Sequence, residues 1–328
     1  MSIKLLFLTP YSFNSYGGVQ EQIKLLKESL ECDKNYEIKI FAPDTNDFIF
    51  NNTFKIPFNG SVSKVSLFPN KNLLKEALDW SDIVHIHEPF IPIIFWNIPK
   101  NKKYVFTHHA KLNLFITSLL KILYLLKRIE GKSVHVSESA KGNAQSLNNN
   151  SLLIPNMYKL NKKAFFKKKD HFLFIGRDEP RKNFKLYKKL SLVEKFNHIK
   201  FSAITNKTKN YKNISVYSNI TDQEKLDLLK KTDIYLAVNK KNESFGITLL
   251  EAINNGNIAV CTDLPFFINV LGDSGIYFKN NNLSSLINVL TNLKNQNLEN
   301  IWNNQNSHIK KYEISTNIEK YKEVYKSI

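Results

Sequence analysis

Arginine is nearly absent from this chain: of its 47 basic residues only Arg128, Arg177 and Arg181 are arginine. Glycine numbers ten and cysteine two in 328 residues, where a glycine share of about 7% is usual. Two distant cysteines, Cys32 and Cys261, exclude a disulfide framework and a thiolate metal site, and they suit a reducing compartment. No apolar run reaches the roughly 20 residues that span a bilayer; the longest, 112–126, is interrupted by Lys121. The apolar start at 5–8 has no small-residue cleavage site and reads as a first strand, not a leader. Scarcity makes the exceptions informative. Arg177 and Arg181, with Gly17, Gly18, Gly176, Gly246 and Gly256, fall beside expected strand or helix boundaries.

Hydrophobic residues at 42% and charged residues at 23% are the proportions of a folded globular protein, and the length suits two domains. Strands are expected at 3–9, 37–42, 64–68, 82–87, 103–107, 133–136 and 152–154, with helices at 19–30, 73–80 and 112–127. After a lysine-rich linker at 159–169 the rhythm restarts, with strands at 171–175, 198–205, 214–217, 233–238 and 258–262 and helices at 184–194, 221–230, 245–254 and 284–293. Apolar residues at Ile314, Ile318, Tyr321, Val324 and Tyr325 have the spacing of a terminal helix. The fold class is therefore α/β, with two parallel sheets covered by helices. Two Rossmann-like doubly wound domains are expected to face each other across a cleft, at 1–156 and 157–311, the helix at 312–328 packing back on the first. The apolar 112–127 helix is expected to be buried for most of its residues, although flanking lysines would also suit anionic lipid.

Three loops concentrate residues suited to a phosphorylated ligand. Gly17 and Gly18 join the first strand to a helix, where backbone N–H groups and the positive helix end attract phosphate; an ordinary glycine turn would look the same. After the strand at 171–175 come Gly176, Arg177 and then Lys182, a planar fork and a point charge fit for a pyrophosphate. The plainer reading, a solvated basic turn, is weakened by the rarity of arginine. The third loop is Glu243-Ser244-Phe245-Gly246-Ile247, running into a helix that carries Glu251. Its helix start can hold phosphate, leaving Glu251 to accept from ribose hydroxyls and Glu243 from those of a sugar. A capping carboxylate plus a surface glutamate is the bland alternative. His85, His87, Glu88, His108 and His109 lie at two strand ends without HExxH-type spacing, so no metal site is expected. His109 is the candidate for contact with sugar hydroxyls.

Taken in order, PYSFNSYGGVQ at 10–20, HIHEP at 85–89, THHA at 107–110, VSES at 136–139, IPN at 154–156, GRDEPRK at 176–182 and ESFGITLLE at 243–251 resemble the retaining glycosyltransferase family 4 nearly end to end. Within that family the chain most resembles the bacterial phosphatidylinositol mannosyltransferases. The resemblance implies the GT-B fold and transfer of a hexosyl group, mannose from GDP-mannose, to a phosphatidylinositol-like lipid or other glycan or lipid acceptor. It implies retention of configuration with no cofactor and no metal. It further implies that Gly18 lies near the donor diphosphate, that Arg177 and Lys182 bind it, and that Glu251 holds the ribose. Glu243 and His109 would address the transferred sugar, and Tyr11 and Gln20 the acceptor's inositol phosphate.

Two departures stand out: 204–208 (ITNKT) occupies the place of a glycine-rich turn common in the family, and Met157 that of a glycine after IPN. They leave a UDP-sugar-dependent enzyme with a soluble or polysaccharide acceptor as the second reading. A third, of another class, is a basic nucleic-acid-binding module on an inactive scaffold. Only the net charge of +18 favours it, and without a zinc-finger, RNP-type or helix-turn-helix signature no specific nucleic acid is expected. The expected location is cytoplasmic, peripheral on the cytoplasmic membrane face.

Overall fold

The computed structural model of the protein describes residues 2–14, 17–45, 47–48, 53–58, 61–66, 70–89, 98–110, 112, 114–127, 129–159, 165–241 and 246–328. The chain forms two units, one of residues 1–157 with 314–328 and one of 158–313.

In the first unit the strands are β1 (Ile3–Leu8), β2 (Tyr36–Phe41), β3 (Phe54–Phe58), β4 (Ser61–Val65), β5 (Ile83–His87), β6 (Lys103–His108), β7 (Lys132–His135) and β8 (Leu152–Leu153). Six of them make one sheet in the order β2-β1-β5-β6-β7-β8, with every pairing parallel. Leu5 to Leu8 of β1 are wholly buried, the continuous apolar run of a strand covered on both faces. Alternation along the strand sends Leu5 and Phe7 to one core and Leu6 and Leu8 to the other. The Leu5 side is covered by α1 (Gly18–Glu31) and by the terminal helix α11 (Ile314–Lys326), through Ile23, Leu26, Ile318, Tyr321 and Tyr325. The Leu6 side is covered by α2 (Lys71–Trp80), through Leu74 and Leu78. Helices α3 (Leu114–Lys127) and α4 (Lys141–Leu147) also belong to this unit.

Two expectations need correction here. The strand expected at 64–68 is not part of the parallel sheet: β4 pairs antiparallel with β3 in a separate hairpin, and 67–69 lie outside the described residues. A single short β-rich run reads alike in either setting, because pairing direction depends on a partner supplied elsewhere in the chain. The helix at 112–127 is not mostly buried. On α3, Phe115 is 79% exposed, Leu119 49%, Ile122 55% and Leu126 73%, so hydrophobicity does not seal it against the sheet.

The second unit has β9 (His171–Ile175), β10 (Lys200–Ile204), β11 (Ser215–Tyr217), β12 (Ile234–Ala237), β13 (Ile258–Thr262) and β14 (Ile276–Phe278), all parallel in the order β11-β10-β9-β12-β13-β14. Its helices are α5 (Phe184–Leu190), α6 (Asp222–Lys230), α7 (Ile247–Asn254), α8 (Pro265–Leu271), α9 (Leu283–Leu293) and α10 (Leu298–Ile309). The start of α6 is set by a capping box, Thr221 accepting from the Glu224 amide while the Glu224 carboxylate accepts from that of Thr221. The helix expected at 184–194 stops at Leu190. Helices α8 and α10 were not foreseen; Pro265 at the first turn of α8 is its local signal.

Candidate active site

A doubly wound sheet offers a crevice at the carboxyl ends of its strands where successive connections turn to opposite edges. In the second unit that point lies between β9, which leads to β10 and β11, and β12, which leads to β13 and β14. The loop after β9 carries Arg177 and Lys182, and the loop after β12 runs into α7; the Lys240 amide donates to the Arg181 carbonyl at 2.8 Å, tying the two together. Gly176 permits a close approach, since a Cβ there would come within 3.3 Å of the Lys182 side-chain stem. At the start of α7, Gly246 has φ +63°, and an added Cβ would sit 3.0 Å from the Phe266 ring. Gly246, its N-cap residue, has no side chain to cap it, which suits first-turn amides to meet an anion. Glu243, Ser244 and Phe245 lie outside the described residues; Gly246 and Ile247 lie within them.

Sequence reasoning missed Glu179. Its carboxylate bridges the two rare arginines, with Oε1 3.2 Å from Arg177 Nη1 and Oε2 2.9 Å from Arg181 Nε. A glutamate between two arginines in an arginine-poor chain was the signal available. The Arg177 side chain is 39% exposed, so this pair is weak and screened and a diphosphate can take over the guanidinium. Glu251, on α7, is 3.0 Å from Lys225 of α6. Where the glycine-rich turn is lacking, Asn206 Oδ1 accepts the Asp178 amide at 2.8 Å, so a side chain does the bridging.

The equivalent point in the first unit lies between β1 and β5. Tyr11 pairs with Val65 of the hairpin and is buried, as is Gln20, whose Nε2 donates to the Ser12 carbonyl at 3.0 Å. The Gln20 side chain folds back over Gly17, where a Cβ would fall 2.3 Å from its Oε1. Gly17 precedes α1 as its uncapped N-cap, and Gly18 is the first helical residue. Beside them β5 and β6 end in a pile of buried imidazoles. His85 Nδ1 lies 2.8 Å from the Tyr325 hydroxyl and its Nε2 2.7 Å from Thr107 Oγ1. The rings of His85 and His87 are 4.1 Å apart, and His87 Nδ1 is 3.1 Å from His109 Nε2.

Burial holds all of these rings neutral, pushing His85 and His108 down to about 3, His109 to about 4 and His87 well below the usual range. Burial likewise lifts Glu88 to about 8, against the pull of the His109 and Ala110 amides. Neutral imidazoles can hydrogen-bond hydroxyl groups as donor or acceptor. Among the described residues no three His, Cys, Asp or Glu side chains are grouped to hold a metal ion.

Comparison with known proteins agrees with these motifs. Residues 158–313 match the family model of glycosyl transferases group 1. The chain is 25% identical over 306 residues to the phosphatidyl-myo-inositol mannosyltransferase of Mycobacterium tuberculosis, spanning 82% of this chain and 80% of that enzyme. It is 28% identical over 298 residues to the same enzyme of Propionibacterium freudenreichii, spanning 80% and 78%. The solved structure of Anabaena HepE in complex with UDP-glucose superposes on 99% of this chain and 100% of its own, with a TM-score of 0.72 at 12% identity, a likeness of fold. With residues 158–313 matching the group 1 model and similar mannosyltransferases spanning most of its length, the chain is a glycosyltransferase with the GT-B fold.

Proposed function

We propose that this glycosyltransferase moves mannose from GDP-mannose to a phosphatidylinositol-like lipid, with retention of configuration. The observation that carries the reading is the pair of joined loops at the second unit's switch point: two cations and a glycine-led helix start at the end of adjacent strands. In this reading the bond from the sugar C1 to the diphosphate oxygen breaks. The acceptor hydroxyl oxygen forms the new bond to C1 on the same face, and its proton passes to the departing diphosphate. Arg177 and Lys182 neutralise the charge that grows on the leaving group, Glu251 holds the ribose, and Glu243 and His109 hold the sugar. The mannosyl donor and the inositol lipid are suggested by the relatives' names.

A melting panel of GDP, UDP and ADP tests the donor. At about 100 times its dissociation constant a nucleotide adds roughly 2.7 kcal/mol of stability, and GDP is expected to raise the melting temperature most. A larger shift with UDP would transfer the assignment to the UDP-sugar reading. No transfer from any GDP- or UDP-sugar would remove both.

The stripe of Phe115, Leu119, Ile122 and Leu126 on α3, with exposed Lys121 beside it, supports docking on an anionic membrane surface. Burying each of these side chains is worth about 1.5–3 kcal/mol, and no helix among the described residues is long and apolar enough to cross a bilayer. The chain is expected to sediment with vesicles containing anionic lipid, and Leu119→Glu with Ile122→Glu to lose about tenfold or more in partitioning. Partitioning indifferent to both lipid charge and the double substitution would end the docking proposal.

A further inference from the structure

We infer that His87 and Glu88 are positioning residues for His109, His87 by coupling its own tautomer to that of His109 and Glu88 by holding the backbone that carries it. The inference rests on the reading of His109 as a sugar contact.

Glu88 has φ +59°, the left-handed region that a residue with a Cβ occupies only at a cost. That turn folds it back across the strand end. Its carboxyl Oε1 accepts the His109 amide at 3.0 Å, and its own amide donates to the Thr107 carbonyl at 2.9 Å. One residue thus grips the chain on both sides of His108. A strained backbone held by its own side chain is more than a strand end needs, and such strain concentrates at functional sites.

The His87–His109 contact carries a second constraint. Both rings are neutral, so the 3.1 Å bond between His87 Nδ1 and His109 Nε2 holds a single proton. If it sits on His87 Nδ1, His109 Nδ1 carries the other hydrogen and is a donor, while His87 Nε2 is bare. If it sits on His109 Nε2, the roles reverse. The two outer nitrogens are therefore always one donor and one acceptor; both are buried, and among the described residues the Asn156 side chain beside His109 is the neighbour closest to satisfying either. A sugar hydroxyl, itself donor and acceptor, matches either state. His85 cannot take part in this exchange, because both its nitrogens are occupied; it packs as a fixed plate under His87.

Glu88 also sets a pH limit. Among the described residues the titratable groups around it are His87, His108 and His109 at the strand ends, Tyr11 from the loop after β1, and behind them His85 with Tyr325 of α11. None supplies a positive charge. With its carboxyl lifted to about 8 by burial, Glu88 is neutral at pH 7. Ionisation above pH 8 strands an unpaired charge in the interior, a cost that the two amide hydrogen bonds only partly offset, and so destabilises the strand end that carries His109.

The experiment measures kcat and KM with GDP-mannose and phosphatidylinositol vesicles, from pH 6 to 9.5, for Glu88→Ala, Glu88→Gln, His87→Leu, His87→Asn and His109→Ala. GDP-induced melting shifts serve as the test of folding. Glu88→Ala and His87→Leu are expected to lose tenfold or more in kcat with donor KM unchanged. Glu88→Gln and His87→Asn, which keep the hydrogen-bonding atoms, recover most of it, and Glu88→Gln abolishes the fall in rate above pH 8. The inference is overturned if the conservative variants are as impaired as the truncations, or if the alkaline limb survives in Glu88→Gln. A fully active His109→Ala would instead sink the sugar-contact role of His109, which is a separate failure.

Discussion

Replacing Arg177 by alanine is expected to lower kcat by roughly 10²–10³ while leaving the melting temperature almost unchanged. The rate effect follows from where charge develops. A preorganised donor aimed at a growing anion is worth roughly 3–4 kcal/mol in the transition state, far more than it contributes to ground-state binding. The stability effect is small because Arg177 is 39% exposed and its ion pair with Glu179 is partly screened by solvent, a contact worth about 1 kcal/mol or less. Arg177→Lys keeps the charge and loses the fork, so an intermediate rate is expected. Equal falls in kcat and kcat/KM would mark an interaction made chiefly in the transition state. Wild-type turnover in Arg177→Ala would take the residue out of the mechanism.

Acid is expected to unfold the first unit at a pH where ordinary carboxylates are still ionised. His85, His87, His108 and His109 all have native values well below the free imidazole's 6.5. Below about pH 6.5 the unfolded chain takes up protons at these rings and the native state does not, so stability is fully present above that pH and is lost as pH falls toward the depressed native values. Four such protons give a slope of roughly 5 kcal/mol per pH unit near pH 5. Glu88 works in the opposite sense: its raised native value adds stability as pH falls from about 8 toward 4.5, at about 1.4 kcal/mol per unit for one proton. Four against one leaves a net loss. Against a usual stability of about 5–15 kcal/mol, two pH units suffice. Calorimetry or circular dichroism between pH 7 and 4 checks this, with a steep fall in melting temperature expected below pH 6; a melting temperature constant from pH 7 to 5 would refute it.

Much of this was open to reading from the residues alone. Leu5 to Leu8, Phe172 to Ile175 and Ile258 to Cys261 are short unbroken apolar runs, and such runs suit strands buried on both faces. The spacing of Ile318, Tyr321, Val324 and Tyr325 marks a one-sided helix, and those residues are buried in the first unit's core. The cations after β9 and the glycine before α7 stood out because arginine and glycine are so rare in this composition. Other features left no local trace. The β3–β4 hairpin and the exposure of α3 depend on what lies alongside each segment, and a propensity or a hydrophobicity sum carries no information about neighbours. Glu179 was visible as a residue and invisible as a bridge, since its two arginines meet it only once the loop has folded.

Strand and helix periodicity, the breaks between elements and the motif residues are properties of neighbours along the chain, where each side chain meets fixed backbone geometry, and for that reason they could be read directly. The histidines show the other case. HIHE and HH are separate words in the sequence, 21 residues apart from Glu88 to His109, and nothing in either foretells the rings of His87 and His109 stacked 5.4 Å apart or sharing one proton. Parallel pairing of β5 with β6 brings the two strand ends together, burial strips them of water, and their protonation follows from that exclusion. Contact and desolvation belong to the folded molecule, so the chemistry of this pile was settled only when the sheet closed around it.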